Sequence, residues 1–206
     1  MPRKVFPRRE QHHARTALEV LSLHERRSGV RVTLPVPIEM IIEQTYGLSL
    51  LWDELVEPPG TRILGALCQR KRQIVLNERH RELFDNCIGP ERFTLAHELA
   101  HWIYDADDVE QQLLPLGGTG FPDSFCYDRE TAGLAEVRRI REMNANKLAS
   151  HLLMPEHLVR EATLDAVLAD PRSTAAAWGV SQTSLRIRLE TLGLIGPQRA
   201  SLFFPA

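Results

Sequence analysis

His97-Glu98-Leu99-Ala100-His101 has the form HExxH. Residues four apart on a helix lie on one face, one turn above each other, so both imidazoles can converge on a single metal ion. Glu98 is rotated from His97 by about 100° around the helix. It can therefore stay off the metal and act as general base toward water at an open coordination position. Zinc suits imidazole and carboxylate donors, and a catalytic site joins three protein ligands to one open position. Manganese or iron can occupy the same donor set. A shuffled chain of this composition would contain the motif roughly 0.03 times, so the pentapeptide needs support from its surroundings.

Those surroundings read as one helix preceded by strands. Pro90 suits a first helical position, and Phe93, Ala96, Leu99, Ala100 and Ile103 supply an apolar stripe. Upstream, residues 62–68 and 73–77 are strand-like runs joined by a polar stretch from Gln69 to Arg72, which predicts a hairpin. Residues 48–52 read as a further strand, after a short helix around Ile38 to Tyr46 that Gly47 can end in a left-handed conformation. Ala14, Ala17, Leu18 and Leu21 give an amphipathic helix over 10–27, within a basic stretch that carries Arg8, Arg9, Arg15, Arg26 and Arg27. Beyond the motif, residues 105–128 hold Pro115, Gly117, Gly118, Gly120 and Pro122 and predict a long surface loop or lid. A long helix is expected over 129–153, closed by Pro155, with shorter ones near 156–169, 173–178 and 182–192. The fold class expected is α+β, a small twisted sheet packed on the motif helix with a helical C-terminal half. The corresponding division is a basic N-terminal helix and linker over 1–34, a central domain over 35–170 and a small helical extension over 171–206.

A third ligand is required. Downstream candidates are Asp105, Asp107, Asp108, Glu130, Glu136 and Glu142. The run Asp105 to Glu110 reads as a solvated helix exit, because adjacent like charges repel and prefer water. Glu142 shares a helix face with Asn146, Ala149 and Leu153, so a carboxylate and an amide project from a stripe that is otherwise apolar. Polar groups on a packing face demand partners, and a metal is one such partner. Spacing alone leaves the choice open.

Composition bounds the rest. The 206 residues are 43% apolar, enough for a core, and 25 basic against 27 acidic side chains leave a net charge of −2. The chain as a whole has no electrostatic mandate to bind nucleic acid or an anionic membrane. No apolar run approaches the ~20 residues of a membrane span, and no secretory h-region follows the basic start, so a cytoplasmic setting is expected. Cys68, Cys87 and Cys126 are widely spaced and read as buried small apolar side chains rather than a disulfide framework.

Two stretches together carry a family resemblance. HELAH preceded by Arg92-Phe93-Thr94-Leu95-Ala96, and Glu142-Met143-Asn144-Ala145-Asn146-Lys147-Leu148-Ala149 followed by Leu152-Leu153-Met154-Pro155, resemble the ImmA/IrrE family of zinc metallopeptidases. That family's second motif has the form E-x-x-A-N-x-F-A with L-L-M-P shortly after. Leu148 stands where the family has Phe, and the 41 positions from His101 to Glu142 mark an expanded 105–135 region. The resemblance covers roughly residues 35–195. It implies a zincin-like fold, zinc bound by His97, His101 and Glu142, and Glu98 as general base. It also implies a protein substrate of the helix-turn-helix repressor type, whose cleavage relieves repression. Such peptidases commonly bind substrate as an added strand, which makes residues 63–68 or 73–77 the expected platform.

Two other classes of function compete. The tail from Ala175 through Gly179 and Ser181 to Leu189 has the rhythm of a helix-turn-helix, with Arg186 and Arg188 on its second helix, so DNA binding is one alternative. A zinc-stabilised interaction protein, for example one partner of a toxin-antitoxin pair, is the other. Glu98 separates the last from an enzyme, since a structural site needs no carboxylate beside water. His80, His151, His157, Tyr104 and Tyr127 are all residues able to polarise a substrate carbonyl, and spacing selects none of them.

Overall fold

The computed structural model describes residues 7–60, 62–112 and 132–196, together with Arg199 and Phe203. Helix α1 (Glu10–Ser28) ends where Gly29 turns left-handed at φ 72° and donates its N–H to the Glu25 carbonyl. Glycine, which has no Cβ, takes this left-handed conformation at little steric cost. Helix α2 (Ile38–Met40) widens into a π-helical turn (Ile41–Thr45), closed by Leu48 N–H on the Ile42 carbonyl. That bond holds Leu48 out of the sheet, so β1 begins one residue later than expected and spans Ser49–Asp53.

The sheet has three strands in the order β1-β3-β2. Strand β3 (Gln73–Asn77) runs parallel to β1 and antiparallel to β2 (Gly65–Cys68), with Leu50 opposite Ile74 and Leu67 opposite Ile74. The expected hairpin is present, but its first strand is shorter than 62–68. The Glu57 carboxylate takes the Ile63 N–H at 2.6 Å, which removes that residue from the ladder. Side chains alternate between two faces as the pleat requires. Leu67, Ile74 and Leu76 enter the main core, while Ala66 and Val75 meet Leu55 in a small cluster on the opposite face. Because β3 lies between the other two, residues 73–77 cannot be a docking edge; of the two platforms expected, only that in β2 survives.

Helix α3 (Arg81–Asn86) leads into α4 (Ile88–Gln112), whose Leu95, Ala96, Leu99 and Ala100 are buried under the sheet. The helix runs on to Gln112, so the loop expected from residue 105 starts later. Acidic residues do not break a helix, and the first proline after the motif is Pro115. Residues 113–131, with the glycine-rich stretch, Cys126, Tyr127 and Glu130, lie outside the described residues. Helix α5 (Ala132–Leu153) packs along α4 through Ala145, Leu148, Ala149 and Leu152. The expected 156–169 helix is two, α6 (Glu156–Glu161) and α7 (Leu164–Ala169), because Ala162 and Thr163 are extended. Helix α8 (Pro171–Ala177) starts on Pro171 with Asp170 accepting from Ser173 N–H, and α9 (Gln182–Thr191) starts on Ser181 accepting from Ser184 N–H. The turn between them needs Gly179. It sits at φ 65°, and a Cβ there would lie 2.6 Å from the Arg92 Nε.

Three expectations are corrected by burial. Cys87 is exposed, whereas Cys68 is buried. Leu18 is largely exposed, and Val20 joins Ala17 and Leu21 in the α1 packing stripe. Arg188, read as a surface arginine able to meet DNA, is only 2% exposed. Its guanidinium donates to the Met154 carbonyl at 2.9 Å and contacts His151 Nδ1 at 3.0 Å. Arg186 pairs with Glu190 at 2.8 Å. Neither arginine of the second helix is left as a free phosphate contact.

His151 in turn meets Glu10 Oε1 at 2.7 Å, and His13 beside it bonds Tyr104 Oη at 2.8 Å through Nδ1. A polar knot therefore ties α1, α4, α5 and α9 together. His13 Nε2 has no hydrogen-bond partner and the residue is fully buried. Burial pushes the His13 pKa down to about 4, against the pull of Glu10 and with that of His151, Lys147 and His12. A histidine depressed in the folded state takes up its proton more readily when unfolded, so its contribution is present above the unfolded pKa of about 6.5 and is lost as pH falls. We expect stability in urea melts to drop by on the order of 3 kcal/mol from this group between pH 7 and pH 4. His13→Phe should flatten that slope, and an unchanged slope would assign the acid sensitivity elsewhere.

Candidate metal centre

Helix α4 presents His97 and His101 four residues apart, and α5 brings Glu142 against both. His97 Nε2 lies 3.2 Å from Glu142 Oε2, and His101 Nε2 lies 3.5 Å from Glu142 Oε1. The two Nε2 atoms are 3.0 Å apart. Four ligands about 2.0–2.1 Å from a tetrahedral zinc define edges of about 3.3 Å. The three separations bracket that edge, so two imidazoles and one carboxylate form a donor set of the size that zinc requires. Among the described residues, no other three His, Cys, Asp or Glu side chains converge in this way.

The electrostatics follow from the packing. Hydrogen bonds from His101 and then His97 hold the Glu142 carboxyl well below the usual carboxylate range, against the opposing effect of partial burial. Glu142 is thus an anion at any ordinary pH, the form in which a carboxylate can bind a metal. Glu98, one residue along α4, is only 7% exposed and stands apart from the ligand trio. Burial raises its pKa most; His97 and His101 oppose that rise, Glu142 adds to it, and a backbone hydrogen bond from Leu67 lowers it. A carboxylate buried beside this trio and raised above its ordinary value binds a proton more readily than a solvated one.

The remaining candidates are placed elsewhere. Glu136 is exposed and paired with Arg139 at 2.7 Å. His80 bonds Glu57 at 2.6 Å, and His151 and Tyr104 are engaged in the polar knot. His157 lines a surface groove between α1 and α6 with Ala14 and Pro155. The side chains of Asp105, Asp107 and Asp108 lie outside the described residues. The sequence reading left Leu67 without a role; its backbone contact with Glu98 depends on how β2 crosses α4 and has no signature in residue type.

A model of the IrrE N-terminal-like domain, a peptidase family, matches residues 53–190. No curated protein sequence gives a significant match. Among solved structures, a Mycobacterium tuberculosis transcriptional regulator is similar with a TM-score of 0.51 at 14% identity, over 93% of this chain and 48% of that one. The chain therefore spans about half the length of that structure, and the likeness is one of fold.

The donor geometry generates a binding expectation. The chain should take up one zinc per molecule in competition with a chromophoric chelator. Glu142→Ala should weaken that uptake by more than ~100-fold, beyond the 10- to 100-fold typical of losing an outer-shell partner. Equal affinity in the variant would remove Glu142 from the ligand set.

Proposed function

Because the chain belongs to the IrrE N-terminal-like peptidase family, whose model spans residues 53–190, we propose that it is a zinc-dependent endopeptidase with His97, His101 and Glu142 as metal ligands and Glu98 as general base. The observation that carries this reading is the convergence of the three donors from two helices. The chemistry that a bound zinc supplies there is Lewis acidity toward the scissile carbonyl and acidification of the attacking water.

The protein's own residues supply the rest. Glu98 accepts a proton from water as its oxygen forms a bond to the carbonyl carbon, and returns that proton to the amide nitrogen as the C–N bond breaks. The raised pKa of Glu98 serves both halves of this transfer. The Leu67 N–H holds the carboxylate in place from the sheet side. Strand β2 gives the substrate an edge. The Leu64 carbonyl accepts from Asn77 N–H, so by alternation Gly65 and the Leu67 carbonyl point away from β3, the Leu67 N–H being engaged by Glu98. An extended peptide added there would run past the metal site.

The proposed substrate is a helix-turn-helix repressor, a choice that rests on the family resemblance and accords with a fold shared with a transcriptional regulator. Such a partner implies action in the cytoplasm, and no helix among the described residues is long and apolar enough to cross a membrane. Manganese or iron could replace zinc in the same donors. The burial of Arg188 speaks against DNA recognition by α9.

Glu98→Gln should retain the metal and lose at least ~100-fold in cleavage rate, the scale of general-base catalysis. Full metal content with undiminished cleavage would reject the mechanism, and a metal-binding chain that cleaves nothing would favour an interaction module. The substrate edge is best probed from the substrate, since a Cβ on Gly65 would meet Thr94 Cγ2 at 2.5 Å. N-methylating each substrate N–H that faces Gly65 or Leu67 should slow cleavage ~3- to 10-fold, the worth of one hydrogen bond. Indifference to methylation throughout the peptide would reject the edge.

A further inference from the structure

We propose that Asn146 is a positioning residue, which fixes the proton of His97 on Nδ1 and so keeps Nε2 free to bind the metal. The inference rests on the ligand reading above. Asn146 Oδ1 lies 3.0 Å from His97 Nδ1. The other nitrogen of the same ring faces Glu142 and His101. The ring is thus gripped at both ends by one face of α5, at positions 142 and 146, a single helical turn apart.

The chemistry of the ring makes this grip consequential. A neutral imidazole carries one proton, and whichever nitrogen holds it cannot bind a metal. An amide carbonyl accepts but does not donate, so once a metal replaces the Nε2 hydrogen bond to Glu142, the Asn146 oxygen selects the tautomer with hydrogen on Nδ1. That tautomer directs the Nε2 lone pair at the point shared with His101 and Glu142. Without the acceptor, the ring is free to adopt the opposite tautomer and to rotate about χ2. Outer-shell acceptors of this kind orient a histidine ligand and raise its basicity. Because Asn146 is on the exposed side of α5, outside the buried Ala145, Leu148 and Ala149 stripe, its effect acts through His97 rather than through the core.

The test uses the full chain and zinc itself. Asn146→Ala should weaken zinc binding 10- to 100-fold in chelator competition, with the melting temperature of the metal-free protein unchanged. Asn146→Asp, which keeps an acceptor at the same place, should restore affinity to within about threefold. A structural role would not give this pattern of loss and rescue. In the zinc-loaded wild type, nitrogen-15 correlation spectra of the imidazoles should show His97 bound to the metal through Nε2 and protonated on Nδ1. This measurement does not depend on the folding of any variant. Zinc affinity within twofold of wild type in Asn146→Ala, failure of Asp to rescue, or zinc bound through His97 Nδ1 would each overturn the proposal. A wild type that binds no zinc would instead overturn the ligand assignment on which it stands.

Discussion

The structure depends on the close, lengthwise packing of α4 on α5. Alanines at 96, 100, 145 and 149 lie in the same buried core as Leu95, Leu99, Leu148 and Leu152. Small side chains let two helices approach without voids, and the leucines between them set the register. Register is what matters chemically. A pair of polar residues one turn apart on α4 meets a pair one turn apart on α5, and a slip of one residue on either helix would rotate a member of each pair by about 100° out of reach. The apolar seam and the candidate metal centre are therefore the two sides of one contact.

The helical part of this arrangement was legible from residue spacing. His97 and His101 at i, i+4, and Glu142 and Asn146 at the same interval, announce two faces before any contact is known. That the faces meet is not written in either stretch; the family resemblance supplied it, and the 3.2 and 3.5 Å separations now give it geometry. Helix ends at Gly29, Gly47 and Ser181 also fell where local chemistry requires. What escaped was non-local. The central place of β3 depends on a parallel pairing with β1, more than twenty residues upstream, and hydrophobic pattern cannot rank strands in a sheet. Arg188 escaped for a related reason. Its charge reads as surface, yet a carbonyl at the end of α5 and a histidine on that helix draw it inside.

The sheet contributes to the site by what it denies as much as by what it offers. Its main-core face covers the apolar stripe of α4 with Leu67, Ile74 and Leu76, and in doing so removes Glu98 from bulk water. A carboxylate in that position has lost hydration that the Leu67 N–H only partly replaces, which is why burial dominates its pKa. The same strand thus shields Glu98, the proposed general base, and turns outward the edge proposed to align a peptide. Arg92 anchors the start of this helix from the other direction, through Glu39 at 3.0 Å, the Val36 carbonyl and the close passage of Gly179.

The knot of Glu10, His151 and Arg188 has a practical bearing on how the chain can be shortened. Glu10 is the first residue of α1, and its carboxylate is shared between His151 and Lys147. An expression clone trimmed past that position would leave a guanidinium, an imidazole and an ammonium crowded at the far end of α5, with Glu156 as the remaining counter-charge to Arg188 and His151. Trimming at the other end to remove α9 would leave the Met154 carbonyl and His151 facing a hole. Boundaries drawn around the matched 53–190 segment alone, convenient as they look on paper, would thus cut through the scaffold of the molecule.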